Sequence, residues 1–265
     1  MTPPDEEVLE GGNVADQVVR VGRTVRKPWR HSSRSVTLLL RYLRLRGYES
    51  SPSVLARDRR GRQTLGYVPG TMADRMAPMT EEELRRLGGI IRRLHDLTIE
   101  YRPDEEPVWE VPIPHEREEL VCHNDLAPWN LVRDGDAWTF IDWDNAGPGT
   151  RMGDLGYAAH GFVPLHEGGD PEHDARRLRV LADGYGCDDD QRRELPDAVL
   201  QRVRGMYDLL VEGARTGRQP WARLHAEGHA DHWGAASEYV ERNREVWLAA
   251  LLAWCGDRKG PPNSP

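Results

Sequence analysis

The apolar positions follow two rhythms. Up to about residue 70 they come in short runs; beyond about residue 80 they recur at helical spacing. In the first part Val8–Gly12, Gln17–Gly22 and Thr24–Pro28 read as three short strands, and Ser53–Arg57 and Gln63–Val68 as two more around the turn Asp58–Gly61. Between them Arg34–Gly47 is predicted as a helix from Leu38, Leu39, Leu43 and Leu45 and its terminal glycine. In the second part Thr80-x-x-Glu83 is a capping box. It opens a helix with Leu84, Leu87, Ile91, Leu94 and Leu97 on one stripe; His95 beside that stripe reads as a buried, satisfied histidine. Residues 101–118, rich in Pro and Glu, read as a surface loop. Further helices are predicted over about 171–185, 196–216, 219–229 and 232–253.

The stretch 121–144, VCHNDLAPWNLVRDGDAWTFIDWD, breaks both rhythms. Leu131-Val132 and Trp138–Ile141 flank Asp134-Gly135-Asp136, a hairpin signal. Such a hairpin brings Asn130 close to Asp142, with Asp125 on the loop that enters it. An amide oxygen and a carboxylate suit a hard cation such as Mg²⁺, so Asn130 and Asp142 are the metal candidates. A separate carboxylate, Asp125, can accept the proton of an acceptor hydroxyl. His123 reads as a loop brace. Each residue alone is an ordinary turn former. Together, in this order and between strands, they point to phosphoryl transfer, where a protein chiefly positions groups and neutralises charge.

H-N-D-L-x-x-x-N at 123–130 resembles the kinase catalytic loop, and Asp142 stands where the metal-binding D-F-G turn begins. With Asn124 and IDWD, the variant is similar to the aminoglycoside phosphotransferase and choline kinase family. RMGDLGYAA at 151–159 is similar to that family's Asp-Leu-Ala helix. The resemblance is strong over about 120–165, weaker over about 10–100, and fades after 170. It implies a two-lobed α+β protein-kinase-like fold. A nucleotide lobe over 1–70 would hold a small antiparallel sheet, and a mainly helical lobe over 71–265 the catalytic hairpin and acceptor. It implies ATP or GTP as donor, Mg²⁺, a small-molecule hydroxyl as acceptor, and a bracing role for Asp154 behind the catalytic loop. No long activation segment separates Asp142 from Asp154, which speaks against a protein kinase.

On the nucleotide side, Gly11-Gly12 lies where a phosphate-covering loop would sit, and no P-loop is present. Tyr67-Val68-Pro69-Gly70 looks like the hinge that meets the adenine edge. Arg26 and Lys27 compete to hold phosphates from the third strand. If Val21 pairs with Thr24, then Val19, Val21 and Arg26 share one face, and Val18, Arg20, Val25 and Lys27 the other. The first face is apolar with one cation, which favours Arg26. The helix 34–47 has no acid to pair with that cation. This suggests an alternative of another kind, a non-catalytic nucleotide- or ligand-binding pseudokinase.

Charge adds a partner class. The net charge is −8, but residues 1–60 carry 12 Lys+Arg against 7 Asp+Glu and the remainder 24 against 37. An acidic body argues against nucleic acid and suits a cationic or neutral acceptor. Asp144, Glu167, Asp170, Asp231 and Glu238 are candidates to face it. Mean hydropathy is −0.70. The absence of a long apolar run or a secretory h-region argues against a membrane partner. Cys122, Cys187 and Cys255, an odd and sparse set, suggest reduced thiols in the cytoplasm. His225, His229 and His232 share a face if their helix is continuous, which would allow a metal-dependent hydrolase; Gly228 and Asp231 interrupt that pattern, and a solvated face is favoured.

Overall fold

The computed structural model describes residues 6–9 and 18–253. Gly11-Gly12, Gln17 and Cys255 lie outside the described residues. The N-terminal part is a four-stranded antiparallel sheet of β1 (Glu7–Val8), β2 (Val19–Val21), β3 (Thr24–Lys27) and β4 (Gln63–Gly66), in that order. Val21 pairs with Thr24 and Val19 with Arg26, the register expected from the tight turn. Ser53–Arg57 is not a strand. It makes one bridge, Val54 to Leu65, because Asp58 draws the chain into a turn by accepting the N–H groups of Arg60 and Arg62.

Helix α1 (Ser33–Leu45) buries Val36, Leu39, Leu40 and Leu43. β5 (Thr71–Met72) then pairs with β7 (Leu131–Asp134), which forms the predicted hairpin with β8 (Ala137–Phe140). α2 (Glu81–Thr98) starts at the expected capping box on Thr80. β6 (Leu120–Cys122) pairs with β9 (Gly147–Gly149), bringing both ends of the catalytic segment together. α3 (Arg151–Phe162), α4 (Pro171–Tyr185), α5 (Asp189–Thr216), α6 (Trp221–Ala226) and α7 (His229–Leu252) complete the chain. α2 packs on α4, α3 on α5, and α5 on α7. α5 starts seven residues before the predicted 196, at a capping box of Asp188 and Gln191, and Pro196 lies inside it.

One expectation fails here for a packing reason, and the interruption expected within the histidine trio is seen. Residues 101–118 are not simply a surface loop. Val111 and Ile113 are half-buried, and His115 lies so close to Gly149 and Gly153 that a Cβ there would stand 2.8 and 2.4 Å from its ring. The histidine trio does not share a helix: α6 ends before Gly228, whose φ of +88° breaks the path to α7. Among the described residues it forms no metal-binding group.

Candidate active site

The catalytic segment is held by backbone contacts before any chemistry is added. The Ile141 N–H donates to the Asn130 carbonyl at 2.8 Å, and Asn130 Nδ2 donates to the Asp125 carbonyl at 3.0 Å. These two bonds bring Asp125, Asn130 and Asp142 to one end of the hairpin. They also orient the Asn130 amide, committing its nitrogen to Asp125 and leaving Oδ1 as an oxygen donor that could hold a cation. Asn124 and Asp142 both adopt left-handed backbone, with φ of +64° and +56°. That conformation is costly for a residue with a Cβ, and such residues concentrate where the surroundings over-determine geometry.

His123 is fully buried and packs on Trp143, ring centroids 4.5 Å apart. Its Nδ1 accepts the Asp125 N–H at 3.3 Å and its Nε2 donates to the Ile141 carbonyl at 3.1 Å. Burial holds it below the ordinary histidine range, so it is a neutral spacer between loop and turn. Asp154, also fully buried, accepts the N–H groups of His123 and Asn124 at 3.1 and 2.8 Å. It accepts His95 Nε2 at 3.1 Å, while His95 Nδ1 meets the Tyr185 hydroxyl at 2.8 Å. Burial works to raise the Asp154 carboxyl, but His95 and the backbone donors outweigh it and hold the group ionised. Cys122 stands beside them, its thiol pushed well up by burial and directed at the Thr150 carbonyl. The His95–Cys122–Asp154 cluster has therefore spent its polar atoms on structure.

Asp125 receives the Tyr157 hydroxyl, and Asn145 Nδ2 lies 3.4 Å from its Oδ2. Burial first, then the nearby Asp142 charge, push its carboxyl up to about 7. A base poised near neutral pH is suited to taking a proton from a hydroxyl. Asn130 and Asp142, brought to one end of the hairpin, are hard oxygen donors of the kind that fits a divalent cation, and Lys27 stands beside Asp142.

The third-strand cation is Lys27 rather than Arg26. Lys27 Nζ lies 2.5 Å from Asp144 and 3.5 Å from Asp142. Burial alone would lower its pKa, but the two carboxylates reverse this and raise it. Arg26 points to the opposite face and pairs with Asp58 at 3.3 Å. The predicted sharing of faces holds, but Asp142 and Asp144 lie under the Lys27 face. Strand alternation cannot tell which face a distant carboxylate approaches. Asp144 also corrects a second expectation: it faces Lys27 and Arg30 rather than the acceptor wall, so it takes the place of the acid that α1 lacks.

The other predicted residues are placed less centrally. The Tyr67 N–H bonds the Arg23 carbonyl, extending the sheet, and is not free for an adenine edge. Tyr67 and Val68 line a cleft of about 210 Å³ with Ser53, Pro69 and Thr139. Glu167 pairs with Arg242, which also lies 3.8 Å from Glu238. Asp170 caps α4 and Asp231 is exposed in the first turn of α7.

Sequence reasoning missed four residues at the site. Tyr157 meets Asp125, and Asn145 and His115 contact the catalytic loop. Arg202 is a nearly buried guanidinium 3.4 Å from the Asn124 carbonyl. Two signals existed. Trp109, Val111, Ile113 and His115 alternate with polar or proline positions, and Arg202 sits in the Val199–Val203–Met206 stripe of α5.

With this geometry in hand, the comparisons assign a class. The chain belongs to the phosphotransferase enzyme family, whose model matches residues 44–196. It is a small-molecule kinase that phosphorylates a hydroxyl. It is 32% identical over 212 residues to the trifolitoxin immunity protein of Rhizobium leguminosarum bv. trifolii, covering 74% of this chain and 80% of that one. The fold is shared with a microcompartment-associated aminopropanol kinase (TM-score 0.67, 17% identity, 92% of this chain and 93% of that one). It is also shared with an amicoumacin kinase in complex with AMP-PNP, Ca²⁺ and Ami (TM-score 0.65, 13% identity, 91% and 88%).

Proposed function

We propose that the protein transfers the terminal phosphoryl group of ATP or GTP to a hydroxyl of an amine- or sugar-bearing small molecule, with Mg²⁺ at Asn130 and Asp142. The carrying observation is the convergence of Asp125, Asn130 and Asp142 on one hairpin end under Lys27. Lys27 would leave Asp144 for the phosphates, or bridge both. Bound metal would neutralise charge on the phosphates. Asp125 takes the hydroxyl proton as the acceptor oxygen bonds to phosphorus and the nucleoside diphosphate leaves in line. The N-terminal 1–70 would hold the nucleotide, and 71–265 the acceptor.

The pseudokinase alternative rested on the missing helix acid, and Asp144 supplies Lys27 with a carboxylate from another element. A second reading concerns purpose. Likeness to an immunity protein favours an antimicrobial acceptor that phosphorylation disarms. Among the described residues no helix is long and apolar enough to cross a membrane. The free buried thiols of Cys122 and Cys187 fit a reducing cytoplasm.

The test is ADP or GDP release with Mg²⁺-ATP or Mg²⁺-GTP across amines, sugars, nucleosides and antimicrobial compounds, at low and high salt. Turnover that falls with salt for cationic acceptors supports the amine reading. Turnover on neutral acceptors only, without salt dependence, removes it and leaves the kinase.

A further inference from the structure

Asn124 occupies the position between His123 and Asp125, and its side chain is fully committed. Nδ2 donates to the carbonyls of Asn145 and Gly147 at 3.1 and 3.3 Å. With the nitrogen so placed, Oδ1 is the acceptor for His115 Nε2 at 2.7 Å. That assignment puts the His115 proton on Nε2, so Arg202 Nη1, 3.3 Å from the same nitrogen, is a close neighbour and not its hydrogen-bond donor, and Nδ1 receives the Thr150 N–H at 3.4 Å. His115 is thus a neutral donor, in keeping with burial and the nearby Arg202 charge, which lower its pKa. The Asn124 backbone is equally engaged, its N–H to Asp154 and its carbonyl to Arg202.

Left-handed backbone alone would be met more cheaply by glycine. Asparagine tolerates it and adds an amide that spans the catalytic loop and the turn following Asp142. Arg202 makes a parallel case. It is 4% exposed, donates to the Ile113 carbonyl at 2.8 Å and lies 5.6 Å from the Tyr157 ring, while its Nε has no partner. Burying a guanidinium so incompletely satisfied is expensive, and an apolar residue would fill this helix stripe at lower cost. What the guanidinium does is hold the loop carrying His115 against the carbonyl of Asn124.

We propose that Asn124, His115 and Arg202 form a clamp that sets Asp125 against the metal-binding turn, and that His115 and Arg202 are positioning residues for phosphoryl transfer. The inference rests on the phosphotransferase reading above. It places part of the catalytic geometry outside the catalytic-loop motif, in a Pro-rich loop and in the middle of α5.

The experiment uses the full chain with Mg²⁺-ATP as probe and water as acceptor, reading ADP release, alongside thermal shift with Mg²⁺-AMP-PNP. Asn124→Gly, His115→Phe and Arg202→Met are each expected to lower kcat by about 10²-fold while KM for ATP changes about threefold or less, the scale of a misplacement near 1 Å. His115→Gln keeps an N–H for Asn124 and should recover most of the loss; Arg202→Lys should fall between Arg and Met. Asn124→Gly separates backbone from side chain: wild-type kcat in that variant overturns the clamp. So does unchanged kcat in His115→Phe, or kcat and KM that worsen together with no recovery in His115→Gln. Should His115→Phe or Arg202→Met fail to fold, the Gln and Lys variants decide the matter on the same kcat-against-KM readout. Wild-type protein that binds AMP-PNP but releases no ADP with water or with any acceptor of the panel above overturns the phosphotransferase reading itself, and the clamp with it.

Discussion

Carboxylates occur in two settings in this protein. Asp125, Asp142, Asp144 and Asp154 crowd the mouth and back of one hairpin, each with its own partners: Tyr157 and Asn145, Lys27, Lys27 with Arg30, and His95 with two backbone amides. Glu167, Asp170, Asp231 and Glu238 lie along the outer helices, where Arg242 serves two of them and a helix N-terminus a third. By composition the two sets are alike. They differ in how far the backbone forces charge together. In the first set burial and mutual repulsion leave Asp125 poised near neutral pH, whereas in the second water and arginine dissipate the charge.

The largest test of that difference is Asp125→Asn. It should reduce turnover by 10²-fold or more, roughly the scale of general-base contributions, while Mg²⁺-nucleotide binding persists. Full turnover in this variant would put the base elsewhere.

Lys27→Met against Arg26→Met comes next. Losing a charge-assisted bond to phosphate costs about 1.5–3 kcal/mol, so Lys27→Met should raise KM for nucleotide by about tenfold or more. Arg26→Met, on the far face, should leave KM within about twofold on the same scale. Equal effects would mean that the cleft is not specific to one face of β3.

A pH series sharpens the contrast between buried and exposed groups. His160 is 7% exposed, its Nε2 has no partner, and burial lowers its pKa to about 3. The unfolded chain takes up that proton near pH 6.5 and the folded chain does not. Stability is therefore highest above about 6.5 and falls as pH drops toward 3. Between pH 7.5 and 5.5 this group should remove about 1 kcal/mol. Denaturant titrations should show a shallower pH dependence in His160→Leu. An unchanged slope would mean that His160 is solvated.

The smallest effect is expected on the outer helices. Glu167→Gln breaks a surface pair worth about 0–1 kcal/mol, and turnover on a neutral acceptor should not change. A large loss for cationic acceptors alone would bring this acid into the site.

Much of the candidate site was legible because its segment is contiguous. His123, Asp125, Asn130 and Asp142 lie within one hairpin, whose turn chemistry and strand flanks are local properties. The helices with strong stripes and caps were legible for the same reason, and α5 was clipped only because Pro196 read as its first turn instead of its third. The burial of Arg202 and His115, the redirection of Asp144 and the choice of Lys27 were not legible. Each depends on a partner outside its own element: Asn124 for the first two, 78 residues from Arg202 and 9 from His115, and β3 for Asp144, 117 residues before it.

The sequence by itself pointed to the class of chemistry, since a candidate base, two candidate oxygen ligands and a hairpin at set spacing are encoded within about twenty residues. It also determined the pairing of β2 with β3, because alternation and a tight turn leave one register. Only the tertiary structure decided which face of that pair looks into the cleft, and which acids meet cations or solvent. Burial and Coulomb energy depend on the distance and dielectric between groups that the chain brings together only when it folds.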